Sequence, residues 1–250
     1  MQPLNLARQD AIDVADIRLT LARRLLGRNR AFRDCPSPVL DELVSAGQLW
    51  WHEKGEILVR HGHPVGYLGL VVSGLLQTNR LYKSGTRQLT GMMATGELFN
   101  LIEVADPELQ FGEMVAKSAS VVLRVPVHEV NRLQLRESRL AIALQRCLAA
   151  RLNLVFERSA ASTALPLEAR VAAILHILVQ LYGLPREHGM LLDIKLSQED
   201  LADLVGVSRQ RLNFALKRLE ADGLIQLGYA SLMISDPARL AALAEAPQSN

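Results

Sequence analysis

Three features of the 250-residue sequence predict an α+β fold with three parts in chain order. Short apolar runs separated by glycines fill residues 50–127, which is typical of an antiparallel β-roll of the jelly-roll type. No glycine or proline occurs between Pro126 and Pro166, so a long helix should follow the roll. Two short amphipathic helices and two β runs then lie between 195 and 234, the pattern of a winged helix-turn-helix.

These features divide the chain into five segments. We predict a basic helical segment at 1–33, a β-roll domain at 34–130, a long dimerisation helix at 131–164, a winged helix-turn-helix at 165–238 and a C-terminal tail at 239–250. The first segment should be a solvated helix that precedes the roll. A transit peptide is the alternative, but the acids that precede the arginine run argue against it. That run consists of Arg18, Arg23, Arg24, Arg28, Arg30 and Arg33.

Composition excludes several classes of protein. The hydrophobic content of 49% excludes disorder as the dominant state, and a net charge of +2 identifies no partner by itself. Two cysteines, Cys35 and Cys147, are too few for a disulfide framework, an all-cysteine zinc site or an iron–sulfur cluster. The start of the chain lacks the apolar core of a secretory signal, and the sequence has no apolar run long enough to span a membrane. We therefore expect a cytoplasmic protein.

The segment 195–227 carries the strongest functional signal. Ser197 is placed to cap a short helix, and Asp200 stands three residues later, where a capping box needs an acid. Gly206 follows at the turn, where a positive φ is expected. Ser208 then caps a second helix. This order of cap, helix, turn and cap predicts a helix-turn-helix.

The helix after Ser208 separates an apolar face from a basic one. Its inward positions are spaced at i, i+4 and i+7 and are occupied by Leu212, Leu216 and Leu219. Between 208 and 219 there are four cations and no acid, which disfavours a generic two-helix hairpin. Such a helix can enter the major groove, where Arg pairs with guanine and Gln or Asn with adenine. The predicted DNA-binding set is Ser197, Ser208, Arg209, Gln210, Arg211, Asn213, Lys217 and Arg218.

Two stretches of the sequence resemble the CRP/FNR family of bacterial transcription regulators. LSQEDLADLVGVSRQRLNFALKRLEADGLI is similar to the family's C-terminal DNA-binding signature, and GYLGLVVSGLLQTNRLYKSGTRQLTGMMATGELF is similar to its cyclic-nucleotide-binding-type roll. The resemblance implies a sensor roll and a homodimer with a central coiled coil, in which each subunit reads half of a palindromic operator on double-stranded DNA. It also implies RNA polymerase as a partner, while the small-molecule effector stays unidentified.

Family members that bind cyclic AMP carry a Gly-Glu pair at the start of a phosphate cassette and an Arg-Ser or Arg-Thr pair further on. Gly96-Glu97 fits better the Gly-Asp turn that the family has just before this cassette. Aligned on the stretch VAKSASVVLRV, Phe99-Asn100 stands at the cassette start and Gln110-Phe111 at the Arg-Ser position. These positions depart from the family's pattern of phosphate-binding residues.

Two departures argue against cyclic AMP as the effector. No arginine occurs between Arg87 and Arg124, so a cyclic phosphate would lack its bidentate partner. Where the long helix of cyclic-AMP binders carries hydroxyl residues, Val155 and Phe156 would leave a buried adenine amine unpaired, at about 1–3 kcal/mol. The roll is therefore expected to be structural or to hold a less polar effector. The candidate effector pocket consists of Gly96, Glu97, Phe99, Asn100, Gln110, Phe111, Val155 and Phe156.

The long helix carries a narrow apolar stripe at i, i+4, i+8 and i+11. Stripes of this kind pack on a partner helix, so we predict that it forms the dimer interface; a helix lying on its own roll is the alternative. The stripe is Leu144, Leu148, Leu152 and Val155.

Other functions have weaker support in the sequence. His52, His61 and His63 lie close enough together for zinc or haem, but exposed loop histidines are the expectation, and no metal or cofactor is predicted. A redox pair of Cys35 and Cys147 has no support beyond the fact that the chain has two cysteines. A non-DNA regulatory module acting on a partner protein through the roll is the alternative function, and the basic second helix argues against it. The sequence lacks nucleotide-binding and nucleophile motifs, so no enzyme is predicted.

Overall fold

The computed structural model describes residues 9–82, 87–109, 112–192, 196–228 and 231–245. The chain divides into two units, Met1–Ala150 and Arg151–Asn250. Among the described residues, no helix is both long enough and apolar enough to cross a membrane. The predicted fold class is confirmed: an antiparallel roll, a long helix and a winged helix-turn-helix follow one another along the chain.

The first unit begins with helices and continues into the roll. Its helices are α1 (Gln9–Arg28), a 3-10 turn (Arg30–Phe32), α2 (Ser37–Ser45), α3 (Leu101–Ala105), α4 (Val127–Arg136) and the first part of α5 (Ser138–Ala164). Its strands are β1 (Gln48–His52), β2 (Ile57–Val59), β3 (Tyr67–Ser73), β4 (Leu75–Leu81), β5 (Arg87–Ala94), β6 (Leu98–Phe99), β7 (Glu113–Ala116) and β8 (Ser120–Pro126).

The roll consists of two four-stranded antiparallel sheets, ordered β1-β8-β3-β6 and β2-β7-β4-β5. Alternation along β8 places successive side chains on opposite faces of the first sheet. Val121, Leu123 and Val125 face the helices, where they share a core with α1, α2, α4 and α5. Val122 faces the roll interior and packs with residues of the second sheet. The roll therefore has an inner core between the sheets and an outer core beneath the helices.

The N-terminal helix is more than a solvated lead-in. Ala22 and Leu26 of α1 and Phe32 of the 3-10 turn are buried in the outer core. In the sequence the arginines of this segment alternate with these apolar residues. A helix that covers a sheet turns its apolar face inward and keeps its charges on the other face. The expectation of a solvated helix is therefore wrong for the inner face of α1.

The predicted long helix is interrupted near its start. Glu137 separates α4 from α5 with extended backbone angles, φ −129° and ψ 97°. The long helix therefore begins at Ser138 rather than at 131, and α4 packs on β8 and α2 as part of the first unit.

The second unit contains the helices α6 (Leu167–Tyr182), α7 (Gln198–Val205), α8 (Arg209–Ala221) and α9 (Pro237–Glu245). Its strands are β9 (Gly183–Arg186), β10 (Gly189–Leu192), β11 (Ile225–Gly228) and β12 (Ser231–Ile234), in the sheet order β11-β12-β10-β9.

One boundary differs from the prediction in this unit. The region after Gly183 forms the hairpin β9–β10, and β10 pairs with the wing strand β12, which extends the sheet. The predicted tail from 239 contains most of α9, whose Leu240 is fully buried and which packs on α6. Residues 246–250 lie outside the described residues.

Candidate functional site

The helix-turn-helix begins with a capping box. The Ser197 hydroxyl accepts a hydrogen bond from the Asp200 amide, and the Asp200 carboxylate accepts one from the Ser197 amide. This exchange satisfies two backbone donors at the start of α7. The Ser197 side chain thus caps α7, and its predicted role as a DNA contact stays a prediction.

The turn between the two helices depends on Gly206. Its φ of +77° lies in the left-handed region, and its amide donates to the Ala202 carbonyl at 2.8 Å. The Ser208 hydroxyl then accepts from the Arg211 amide at 3.4 Å and caps α8. The Arg170 side chain of α6 donates to the Val205 carbonyl at 2.6 Å, which anchors the end of α7. These contacts fix the direction in which α8 leaves the turn.

Helix α8 presents a basic outer face. Leu212, Leu216 and Leu219 are buried, as the spacing predicts. Arg209, Gln210, Arg211 and Lys217 are exposed, and Asn213 is half-buried. In the part of the chain that the structure describes, Arg209, Arg211 and Lys217 form no ion pair, so their charges remain available to an anionic partner.

Arg218 is held against the protein. Its Nη1 lies 2.9 Å from Glu168 Oε1 on α6, and its guanidinium lies 5.7 Å from the ring centroid of Phe214. Arg218 therefore fastens α8 to α6, and its predicted role in DNA binding stays a prediction. Phe214 is 60% exposed, so its ring extends the outer face of α8.

The wing follows α8 directly. Strands β11 and β12 form an antiparallel hairpin, and the Glu220 carboxylate accepts from the Leu227 amide at 2.8 Å. This bond joins the end of α8 to the wing. The tip, residues 229–230, lies outside the described residues.

The roll residues predicted to line an effector pocket serve several structural purposes. Glu97 completes the turn after β5: its carboxylate accepts from the Ala94 amide, and Gly96 in the same turn has a φ of +94°. Phe99 is buried in the inner core, which corrects its assignment as a pocket residue. Its ring packs on Gly69, where a Cβ would come within 2.1 Å of it. Asn100 Nδ2 donates to the Tyr67 carbonyl at 3.3 Å.

Four predicted pocket residues remain, namely Gln110, Phe111, Val155 and Phe156. Gln110 and Phe111 lie outside the described residues. Val155 and Phe156 are exposed on the part of α5 that belongs to the second unit. Their assignment to an effector pocket stays a prediction.

The roll interior contains a polar cluster that sequence reasoning missed. Arg124 on β8 is only 7% exposed, and its guanidinium carbon lies 4.4 Å from the Trp50 ring centroid and 4.5 Å from that of Tyr67. Its Nη2 lies 3.0 Å from Nε2 of the buried His52, whose Nδ1 is 2.9 Å from Glu56 Oε1. Burial lowers the pKa of His52 and outweighs the opposing effect of Glu56, so His52 is neutral and accepts from Arg124.

A signal for this cluster exists in the sequence. Arg124 interrupts the apolar run VVLRV, and strand alternation places it on the same face as Val122, which points into the roll. The expectation that the three early histidines lie exposed in loops is wrong for His52, because β1 buries it. His61 and His63 are exposed.

Metal and redox sites receive no support within the described ranges. No group of three or more His, Cys, Asp or Glu side chains in them could hold a metal ion. No disulfide joins Cys35 and Cys147, both half-buried, and burial raises the pKa of the Cys35 thiol, which disfavours the reactive thiolate.

The predicted dimer stripe is partly corrected. Leu144 is buried in the outer core of its own subunit, together with Leu140 and Ala143, so it is not available to a partner. Leu148 is half-buried, whereas Leu152 and Val155 are exposed. A second stripe of α5, which shares Leu152 with the predicted one, is exposed. It has the i, i+7, i+10, i+14 spacing of a coiled-coil seam. It consists of Ile142, Ala149, Leu152 and Phe156, which we call the α5 seam.

Two family models match this chain. Residues 49–137 match the model described as a cyclic nucleotide-binding domain, and residues 169–243 match the Crp-like helix-turn-helix domain. The first covers most of the roll and α4, and the second covers the region from α6 to α9.

Relatives and solved structures agree with these matches. A CRP-like cAMP-activated global transcriptional regulator of Mycobacterium tuberculosis is 29% identical over 193 residues, which cover 75% of this chain and 84% of that protein. A global nitrogen regulator of Synechococcus elongatus is 22% identical over 198 residues, 77% of this chain and 88% of that one. The structure of FixK2 from Bradyrhizobium japonicum has the same fold, with a TM-score of 0.68 at 19% identity over 81% of this chain and 99% of that chain. The chain belongs to the CRP/FNR family of transcription regulators.

Proposed function

We propose that the protein is a homodimeric transcription regulator that binds a palindromic operator through α8 and is not controlled by cyclic AMP. The observation that carries this proposal is the outer face of α8. Three of its four cations, Arg209, Arg211 and Lys217, are exposed and form no ion pair within the described residues, while the leucines on the opposite face are fully buried. A helix held in this way behind a capped turn suits insertion into the major groove.

The start of α8 is the best candidate for base reading. Arg209 occupies the first position and can bond bidentately to guanine, while Gln210 beside it favours adenine. Lys217 lies two turns further along the helix and suits a phosphate contact. Arg211 and Asn213 are further candidates for base or phosphate contacts. Ser208 acts through the cap that orients these side chains.

The α5 seam supports a dimer. Leu152 is 52% and Phe156 62% exposed in the single chain, and both lie on one stripe of a 27-residue helix. Burial of such side chains against a second copy stabilises by about 1.5–3 kcal/mol each. A two-fold dimer presents two copies of α8, which favours an operator with two-fold symmetry and half-sites one helical turn apart.

Independence from cyclic AMP rests on the residues of the roll. Between Arg87 and Arg124 the sequence contains no arginine that could clamp a cyclic phosphate. Phe99, at the predicted cassette start, is packed in the inner core. The relative from Mycobacterium tuberculosis is described as cAMP-activated, so calorimetry with cyclic AMP is a direct check. The proposal expects no binding, and a dissociation constant in the low micromolar range would refute this part of it.

Regulation of transcription makes RNA polymerase the natural protein partner and the cytoplasm the natural location. Pull-down of purified polymerase on operator DNA, with and without the regulator, checks that partnership.

Selection from random duplexes tests operator binding. The wild type and Arg209→Ala are each used to enrich binding sequences, with Arg186→Ala, an exposed arginine outside the helix-turn-helix, as the matched control. We expect a palindrome for the wild type and the control, and a loss of preference at one base pair of each half-site for Arg209→Ala. Equal enrichment of one palindrome by all three proteins would refute base reading by Arg209.

A further inference from the structure

The environment of Arg124 is unusual for a structural arginine. Arg124 is only 7% exposed, yet no acidic side chain among the described residues forms an ion pair with it. The carboxylate of Glu56 pairs with His52, and its charge acts on Arg124 without direct contact. Nε of Arg124 is buried and has no hydrogen-bond partner in the part of the chain that the structure describes. A buried guanidinium without a direct ion pair is costly, so buried arginines are rare unless they are paired.

The guanidinium nevertheless keeps its charge and its position. Burial lowers the pKa of Arg124, but a guanidinium remains protonated in proteins. The guanidinium carbon of Arg124 lies 4.4 Å from the Trp50 ring centroid and 4.5 Å from that of Tyr67. Neutral His52 accepts one Nη2 hydrogen, and the bond from Asn100 to the Tyr67 carbonyl fixes the neighbouring strand. The group is thus oriented in advance, with Nε still unpaired.

We propose that Arg124 is the anchor of a binding site in the roll for the carboxylate of a small molecule. The proposal goes beyond operator binding and holds whether or not α8 reads DNA. It supplies the counter-ion that the described residues lack. It also places anion recognition on β8, away from the cassette segment where cyclic-AMP binders hold their phosphate.

The aromatic rings limit the space for an anion, since their centroids lie 4.4 and 4.5 Å from the guanidinium carbon. A small planar ligand suits such a space best. A carboxylate is planar and can accept two parallel hydrogen bonds in the plane of the guanidinium from the arginine fork. A tetrahedral phosphate would direct oxygens out of this plane. The site is therefore expected to prefer carboxylates to phosphates.

Thermal unfolding with defined salts tests the site. Sodium acetate and sodium benzoate are the probes, up to about 50 mM, because small fragments bind weakly. Sodium chloride at matched ionic strength is the salt control. In the wild type we expect a saturable rise in Tm of about 2–4 °C at about five times the dissociation constant. Fluorescence should change with the same dissociation constant, because Trp50 is one of only two tryptophans.

Two variants separate the site from general salt effects. Arg124→Met keeps an unbranched side chain between the rings and should lose the saturable response. Arg80→Met is the matched control, since Arg80 also lies over a tyrosine ring, at 5.8 Å from that of Tyr82, but is exposed. It should respond as the wild type does. If Arg124→Met fails to fold, Arg124→Lys retains the charge without the fork and should bind the probes at least about tenfold more weakly.

Three results would overturn the proposal. The first is a wild-type response to acetate and benzoate no larger than that to chloride. The second is an undiminished response in Arg124→Met or, if that variant does not fold, in Arg124→Lys. The third is a saturable response to cyclic AMP or inorganic phosphate that is stronger than that to the carboxylates and depends on Arg124, which would make the ligand a phosphate.

Discussion

The α8 cations of the winged helix-turn-helix are exposed, whereas Arg124 in the roll is buried. On α8, Arg209, Arg211 and Lys217 lie at the surface without ion pairs among the described residues. In the roll, Arg124 is enclosed by two aromatic rings and a histidine. Exposed cations suit a large polyanion that approaches from solvent, whereas an enclosed one suits a small ligand that enters the domain. The two proposals thus assign a different kind of anion to each region.

The largest expected effect is on dimer formation through α5. Leu152→Glu places a carboxylate in the α5 seam, where association would bury it unpaired at a cost of several kcal/mol. Because Leu152 is 52% exposed in the single chain, the subunit itself should still fold. Sedimentation should show monomers and weakened operator binding, while carboxylate binding to the roll persists.

The matched control for that variant is Leu135→Glu. Leu135 is 90% exposed and lies on α4, outside the α5 seam. It should leave the dimer intact. A dimeric Leu152→Glu protein would place the interface elsewhere.

Glycine-to-alanine changes sharpen the contrast between the two regions. Gly69→Ala forces a Cβ into the Phe99 ring and should destabilise the roll by about 3 kcal/mol through overpacking. At Gly206→Ala the new Cβ makes only an ordinary contact, 3.7 Å from the Arg170 side chain, but the change imposes a positive φ on alanine, at about 1 kcal/mol. Denaturant unfolding measures both. Equal costs would mean that the roll interior at Phe99 is not tightly packed.

Acid should weaken the roll through His52. The folded pKa of His52 lies below the ordinary value of 6.5 because burial disfavours the charged form. The unfolded chain then binds the proton more readily, so this contribution to stability is complete above about pH 6.5 and is lost as the pH falls from there through the folded pKa. His52→Gln keeps a polar side chain that can accept from Arg124, without titrating. Between about pH 7 and pH 5 the wild type should lose more stability than the variant, and parallel curves would contradict the assignment.

The smallest effect is expected at the far end of α8. Lys217→Ala should weaken binding to all duplexes alike and reduce the salt slope by about one per subunit. Titrations at several salt concentrations, on operator and random DNA, measure it. A loss confined to the operator would make Lys217 a base reader.

The sequence predicted the winged helix-turn-helix well because its signals are local. The cap at Ser197, the turn at Gly206 and the leucine spacing of α8 each lie within a few residues and follow from backbone geometry. The role of Arg218 was missed because Glu168 is fifty residues away in the chain.

The roll was predicted as a fold but not as a site. Its glycine-separated strands indicate two sheets, yet the cluster around Arg124 brings together residues from β1, β3 and β8 that only long-range pairing makes neighbours. Leu144 illustrates the same limit on α5. Its helical spacing is real, but spacing alone does not distinguish the subunit's own core from a partner helix.

Base reading by α8 is the central claim, and a double-mutant cycle tests it most directly. Affinities of the wild type and Arg209→Ala are measured on the selected operator and on a duplex in which the guanine assigned to Arg209 is replaced in each half-site. The account predicts that Arg209→Ala costs about 1–3 kcal/mol on the operator and almost nothing on the altered duplex. Equal losses on both duplexes would show that Arg209 contacts only the backbone and would contradict the account.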